Sequence, residues 1–596
     1  MHLSRQKRAE LIEAALGKRQ LDTVVENIQL VSVFTGETYE ARVGIYDGYI
    51  AHVESDPDGT GKKDEPTMRG KDTLDGGGMY LLPGFIDAHV HIESSMMTPP
   101  NFAEVVIPHG TTTVITDPHE IGNVLGVEGV RYMVWSSEQL PMRQYLLVPS
   151  CVPSVPGLET TGAEFGAEEV AEMLQWDRVL GLAEVMDFPG VIHGSERMLD
   201  VVHEALTRGR FIQGHSPSLS GRALSAYLCA GPQSDHEITD AAEAREKMRL
   251  GMTVDARESS MARNMAEVIS AVGEFMSPPN LSICTDDREP SDLLHEGHMN
   301  HAVRRAIAEG LDASMAVRAA TLNTARVVGI DVLGAVAPGY AADLLLVPSL
   351  EEMKPALVMT DGEVVAEDGE MVVPIDPAHT QVEQKNTVYL DLLSEEDIAI
   401  RAPVNDGTVQ TRILTYSEDD LLYAAFDKEQ LPVDSGLVDI SKSEDLCYVG
   451  VFNRHGAPEN RFVGVIRNFG LRYGAIASTI SHDCHNLTVV ASNAEDAVIA
   501  ANSLIECGGG IACTRDGEVI DVLKLPIAGL MSSLPVSELA PRATQLKGTL
   551  TDMGIPGEDP LLRIATLTLA VIPEGKITDQ GLIEVNKQKL VALFPE

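Results

Sequence analysis

The sequence predicts an α/β fold: a (β/α)8 barrel, a small β-sandwich built from the N-terminal and post-barrel segments that flank it, and a separate α+β C-terminal domain. Three observations carry this expectation. From Met79 onward, short apolar strands alternate with amphipathic helical stretches, the rhythm of parallel strands joined by crossover helices; about eight such units in roughly 250 residues is the size of such a barrel. The segments on either side have strand-and-turn character instead. The chain of 596 residues is several domains long, so the part after the barrel has enough length for a core of its own. The boundaries fall at 1–78 for the N-terminal helix and first part of the sandwich, 79–338 for the barrel, 339–380 for the return strands and 381–596 for the C-terminal domain. An open doubly wound sheet is the competing topology for the middle segment.

Element by element, Leu11 to Leu16 has a short amphipathic helix pattern, and residues 24–53 read as a β meander with turns at Thr35-Gly36 and Asp47-Gly48. Residues 56–71, rich in Asp, Gly, Lys and Pro, read as a surface loop. Barrel strands are expected at 79–91, 112–116, 144–149, 179–185, 211–214, 234–238, 253–257 and 281–285, with amphipathic stretches at 102–108, 167–174, 198–207 and 241–250. Residues 341–347 and 357–365 return to strands, with Asp361-Gly362 as a hairpin turn.

Composition excludes several function classes. Lys and Arg total 45 against 89 Asp and Glu, a net charge of −44. That excess of acid repels phosphate backbones and anionic headgroups, so nucleic acid and membrane surfaces are excluded as ligands. The seven cysteines are scattered and form no C-x-x-C pair, which argues against a disulfide framework or a thiolate zinc cage and for a reducing compartment. Neither a signal-peptide apolar core nor a run of the roughly 18 apolar residues that spans a bilayer is present, so a cytoplasmic protein is expected.

The chemistry gathers at the C-terminal ends of the expected barrel strands, where such barrels build their sites. Pro83-Gly84-Phe85-Ile86-Asp87-Ala88-His89-Val90-His91 places His89 and His91 on one side of a strand, because alternate residues share a face. Two imidazoles so placed can hold a metal ion. Glu184 ends an apolar strand, where an unpaired buried carboxylate is costly and a cation would offset the cost. His215, His236 and Asp286 follow later strands. Each alone reads first as a core histidine bonded to a carbonyl or as a helix-capping acid; their recurrence at equivalent strand ends favours a shared site. His295-Glu296-Gly297-His298 is not a zincin helix, since the position four after His295 is Met299. Gly508-Gly509-Gly510 lacks the Lys-Ser or Lys-Thr of a phosphate loop and reads as a turn. His482, Asp483 and His485 fit either an additional metal or lid site or a polar turn.

The H-x-H on the first strand, the single histidines after the fifth and sixth and the Asp after the eighth resemble the pattern of the amidohydrolase superfamily. Within it, residues 87–95 (DAHVHIESS), Asp117-Pro118-His119-Glu120 and Cys284-Thr285-Asp286-Asp287 resemble the bacterial and archaeal adenine deaminase family, and the likeness extends to 474–478 and 481–486. The resemblance implies a metal-dependent barrel with a binuclear centre: His89, His91 and Asp286 on one ion, His215 and His236 on the other, and Glu184 bridging where many superfamily members carry a carbamylated lysine. Mn2+ or Fe2+ is implied ahead of Zn2+. The implied reaction is hydrolytic deamination of adenine to hypoxanthine and ammonia, in purine salvage, by a hydroxide bridging the two ions. Asp286 would shuttle the proton to the leaving amine, alongside the bridging Glu184, and Glu120 would donate a proton to N1, a helix-start acid being the alternative reading of Glu120. His119, Arg257, Glu258 and Ser260 are the expected substrate contacts. The implied partner is thus a small molecule, and a homo-oligomer is compatible with the chain although no residue pattern establishes one. Two other readings compete: a cyclic amidase of the dihydroorotase or hydantoinase kind, for which a bridging lysine in place of Glu184 is expected, and a catalytically silent scaffold, whose ligand residues should have decayed.

Overall fold

The computed structural model describes residues 3–55, 68–273, 275, 278–375, 385–417, 423–443, 445–557 and 559–595. Residues 56–67 of the expected surface loop and the expected boundary at 380–381 lie outside the described residues; the end of that loop is instead the start of a strand, Gly70–Asp75.

The N-terminal helix, Arg5–Ala15, starts earlier than its apolar pattern suggests because Ser4 caps it, its hydroxyl accepting the Lys7 N–H at 3.2 Å. Strands from both flanks of the barrel then share one nine-stranded sheet. Leu344–Val347 pairs antiparallel with Tyr80–Pro83, which lies parallel beside Leu21–Val31. Two hairpins in this sheet turn on Asp-Gly pairs, Asp47-Gly48 and Asp361-Gly362. All four residues have φ between +48° and +81°, as a tight hairpin with the twist of its strands requires.

Parallel strands follow, labelled here β1 (Phe85–His91), β2 (Thr111–Thr116), β3 (Arg143–Val148), β4 (Val179–Val185), β5 (Phe211–Gly214), β6 (Ser234–Asp235), β7 (Thr253–Arg257) and β8 (Leu281–Cys284). Neighbours from β1 through β5 pair in parallel, as do β6 with β7 and β7 with β8. β5 and β6 are linked by the Gln233 N–H to the Ile212 carbonyl at 2.9 Å. Beyond β8, Asp286 and Asp287 pair with Val90 and His91 of β1, so the last strand returns beside the first and the parallel sheet curls into a barrel-like ring. Helices such as Pro99–Val106, Glu196–Thr207 and Ala241–Arg249 lie between the strands, close to the predicted stretches.

Two strand expectations need correction. The stretch 79–91 is not one strand but two, Tyr80–Pro83 in the flanking sheet and β1 in the ring. Gly84 is the junction: its N–H donates to the Asp343 carbonyl at 2.8 Å, and a Cβ there would lie 2.3 Å from Thr112 Oγ1. Both halves are apolar, so hydrophobicity alone cannot mark the change of sheet. β6 is shorter than 234–238 because the chain turns after Asp235, which accepts the Glu237 N–H and the buried Lys247 ammonium, each at 2.8 Å.

The C-terminal part forms a second nine-stranded sheet. Helix Ala494–Cys507, capped by Asn493, packs Ala497, Ala500, Ala501 and Leu504 on Ala475, Ala477, Val489 and Ala512 of that sheet. Gly508, Gly509 and Gly510, all at positive φ, end the helix as the expected turn. The opposite side continues into the core of the ring, where Met96 and Met97 join Ile511, Leu525 and Leu561 in one buried cluster. Among the described residues no helix is long and apolar enough to cross a membrane.

Candidate metal centre

At the C-terminal end of the ring, six side chains from five strand ends converge. Alternation along β1 turns His89 and His91 the same way, with Nε2 of each 3.2 Å from Asp286 Oδ1. Their other nitrogens are engaged. Gln213 donates its amide to the Ala88 carbonyl at 3.1 Å, which leaves its oxygen to accept from His89 Nδ1 at 2.8 Å. His91 Nδ1 donates to the Asp117 carbonyl at 2.9 Å. These bonds fix the tautomer in which both Nε2 lone pairs face inward, and the buried His89 Nε2 makes no hydrogen bond of its own. Glu184, at the end of β4, sits between two groups of imidazoles. Its Oε1 faces His91 Nε2 at 3.4 Å and His89 Nε2 at 4.0 Å, while Oε2 meets His215 Nδ1 at 2.5 Å and His236 Nε2 at 3.3 Å.

The two carboxylates are held ionised. Burial pushes the Glu184 carboxyl upward, but His215, then His236 and His91, outweigh it and hold it well below the usual range. Burial of Asp286 is overcome in the same way by Arg257 first and then by His89 and His91. The Arg257 guanidinium donates to Asp286 Oδ2 at 2.8 Å and also grips Glu237. Asp286 has φ of +56°, a strained conformation for a non-glycine residue that the pairing with β1 maintains. Anionic carboxylates facing inward-directed imidazole lone pairs, all buried except the partly buried His215, form a donor set suited to divalent cations. With oxygen and nitrogen donors only, softness selects no single metal.

Residues 80–365 match the amidohydrolase family, and residues 424–589 match the adenine deaminase C-terminal domain. The chain is 41% identical over 583 residues to adenine deaminase 2 of Carboxydothermus hydrogenoformans, covering 98% of both chains. It is 39% identical to the adenine deaminases of Kosmotoga olearia over 587 residues and Moorella thermoacetica over 589, again with 98% of each chain covered. The chain belongs to the adenine deaminase family.

The part that matches the adenine deaminase C-terminal domain also reaches the centre. Its segment 481–486 lies over the ring so that His482 Nδ1 is 3.0 Å from Glu120 Oε1, and His485 Nε2 is in contact with Glu120 Oε2. Glu120 and both histidines are buried. Burial would raise the Glu120 carboxyl, but His482 and His485 hold it well below the usual range, while Glu120 helps keep His482 at about 9 against its own burial. Beside them, a small cleft is walled by Ser94, Asp287 and Met261 from the ring and by Ile480, His482 and Leu561 from the C-terminal part.

The structure brings His89, His91, Glu184, His215, His236 and Asp286 together, with His119 and Glu120 at their edge. His119, expected as a substrate contact, lies against Asp117 at 3.1 Å and Glu184 at 3.6 Å, within a group that could itself hold a cation. Arg257 reaches the cluster through Asp286. Glu258 and Ser260 do not reach it: Glu258 faces Arg263, His301 and Arg305 at 3.5 to 3.7 Å, and the Ser260 hydroxyl donates to Asp292 at 2.6 Å. Sequence reasoning missed Gln213, whose place two residues before His215 on the same strand face was the available signal, and gave no role to Asp117 although it stands in the quoted motif. It also left the destination of 481–486 open, since nothing local links it to Glu120.

Proposed function

We propose that this chain hydrolyses adenine to hypoxanthine and ammonia at a binuclear centre of Mn2+ or Fe2+. The observation that carries this reading is Glu184: a carboxylate sits between two sets of imidazoles on β4, which contains no lysine, under a second wall contributed by the family's own C-terminal domain. We read the ring as a closed (β/α)8 barrel over 79–338, flanked by a small β-sandwich from 1–78 and 339–380, with 381–596 as the C-terminal domain of a cytoplasmic enzyme.

His89, His91 and Asp286 would hold one ion, His215 and His236 the other, with Glu184 between them. When bound there, the ions would supply a water whose pKa is lowered from 15.7 towards roughly 7, and so a nucleophile at neutral pH. The protein supplies the rest. Asp286, kept anionic by Arg257, accepts the proton of the oxygen that adds to C6 and delivers it to the amino nitrogen, so that ammonia and not hydroxide departs. Glu120, the expected donor of the other proton, at N1 of the ring, lies against His482 and His485, which hold it as a carboxylate, so that proton comes from this group of three and not from Glu120 alone.

The test is to load the purified chain with Mn2+ and follow adenine by its ultraviolet change, with adenosine, guanine and dihydroorotate as controls. Conversion of adenine to hypoxanthine with one ammonia released per turnover is expected. An unchanged adenine spectrum, or opening of the dihydroorotate ring, overturns the reading.

A further inference from the structure

We propose that His482, carried to the barrel mouth by the C-terminal part, is the residue that protonates the purine ring at N1, with Glu120 orienting its imidazole and His485 fixing Glu120. This inference rests on the deaminase reading above and assigns one of its proton transfers to a segment outside the ring.

Among the described residues that line this cleft, His482 is the only histidine, and it shares that wall with Asp287, the neighbour of Asp286. Its Nδ1 is turned to Glu120 Oε1 at 3.0 Å, which leaves the opposite ring nitrogen, Nε2, for the cleft. A carboxylate behind one nitrogen of an imidazole whose other nitrogen meets the substrate is the usual arrangement of an oriented acid or base.

Glu120, His482 and His485 also have the make-up of a third cation site. The hydrogen bond at His485 argues against it. The Ser481 N–H donates to His485 Nδ1 at 3.3 Å, so Nδ1 is the acceptor of this ring and Nε2 carries the hydrogen. A protonated Nε2 turns a hydrogen and not a lone pair towards Glu120, so it is not set to ligate a metal. His89 and His91 show the opposite pattern, each Nδ1 donating outward and each Nε2 lone pair directed inward.

The segment is also held firmly enough for the task. The His482 N–H donates to the Ala565 carbonyl at 2.8 Å, and the Thr568 hydroxyl donates to the His482 carbonyl at 2.7 Å. The fully buried Arg454 guanidinium donates to the His485 carbonyl, to the Thr387 hydroxyl at 2.9 Å and to the Ala528 carbonyl at 2.8 Å. A donor fixed from both sides keeps its geometry without an ordering cost at each turnover.

As the oxygen of water adds to C6, the π electron pair of the C6–N1 bond moves to N1, which takes the Nε2 proton of the His482 imidazolium; the first proton of the water goes to solvent. Asp286 then carries the remaining hydroxyl proton to the amino nitrogen, the C6–N bond breaks with its pair on nitrogen, and C6=O forms. His482 regains a proton from solvent. The sum is adenine plus water to hypoxanthine plus ammonia.

The test measures kcat and KM for adenine, and Mn2+ bound per chain, in the wild-type protein, His482→Asn, His482→Gln and His482→Ala. Losing a general acid costs about 10²- to 10⁴-fold in rate, so a kcat fall of that order is expected in all three, with KM within about threefold and the wild-type complement of Mn2+ retained. Added imidazole should restore part of the rate of His482→Ala, which a purely structural loss would not allow. A kcat within about threefold of wild type in the His482 variants overturns the proposal. So does a Mn2+ ion that the wild type binds and His482→Asn does not. A wild-type protein without adenine turnover overturns the deaminase reading itself, whereas active wild type with equally active variants overturns only the role of His482.

Discussion

At the residue scale, the decisive feature is the direction in which each imidazole presents its lone pair. Gln213 makes no contact with the carboxylates of the centre, yet its oxygen sets the tautomer of His89. Replacing a group that orients a metal-ligating histidine typically costs about 10- to 100-fold in metal affinity. Gln213→Leu is therefore expected to release Mn2+ to a competing chelator at a free-metal concentration higher by that factor, and unchanged competition would remove Gln213 from this role. Asp286→Asn keeps the shape of the side chain but removes the anion that Arg257 stabilises, which is the proton acceptor of the proposed mechanism. Its turnover is expected to fall by about 10²-fold or more, with the circular dichroism spectrum unchanged; a near-normal rate would contradict its role as shuttle. The histidine pair of β1 was legible in the sequence because strand alternation is a local rule. Gln213 was not, because its function depends on a neighbour more than a hundred residues away.

At the element scale, the loop after β3 joins the ring to the C-terminal part. Thr160 accepts from the Asn486 side chain at 2.9 Å through its carbonyl, and its N–H donates to Asp579 at 3.0 Å. Within this loop Glu159 accepts from the Ser154 hydroxyl at 2.8 Å and the Val155 N–H at 2.9 Å. Burial, and then the nearby Asp483, push its carboxyl up to about 8. Between the ordinary carboxylate range and pH 8 the folded protein thus keeps a proton on Glu159 that the unfolded chain has lost. Stability linked to this group falls as pH rises through that window, by up to about 1.4 kcal/mol per pH unit. Glu159→Gln removes the titration, so its melting temperature is expected to drop less between pH 5 and pH 8 than that of the wild type. An identical drop would show that Glu159 is not buried as a neutral acid. Strand ends were harder to read than strand existence: β4 is an apolar run broken only by Glu184, one residue before its end, whereas Gly84 divides a single apolar stretch between two sheets and gives no signal except that it is a glycine.

At the scale of the whole molecule, the C-terminal part is a wall of the chamber as well as a fold with its own core. Its sheet joins the core of the ring through Met96, Met97, Ile511 and Leu525, and its 481–486 segment closes on Glu120. Composition could supply the length for a second core but not its docking, because no local pattern encodes a contact between Glu120 and His485. The net charge of −44 acts over the same scale. Repulsion among surface carboxylates weakens as the Debye length shrinks from about 30 Å at 0.01 M salt to about 8 Å at 0.15 M. The melting temperature is expected to rise over that interval, and a fall would mean that local ion pairs outweigh the general repulsion. The central claim, two ions held on either side of Glu184, is tested most directly by a crystal of the Mn2+-loaded protein measured at the manganese absorption edge. Two anomalous peaks are predicted, one among His89, His91 and Asp286 and one beside His215 and His236, both next to the Glu184 carboxylate and with none at His485; a single peak, or peaks away from Glu184, would contradict the account.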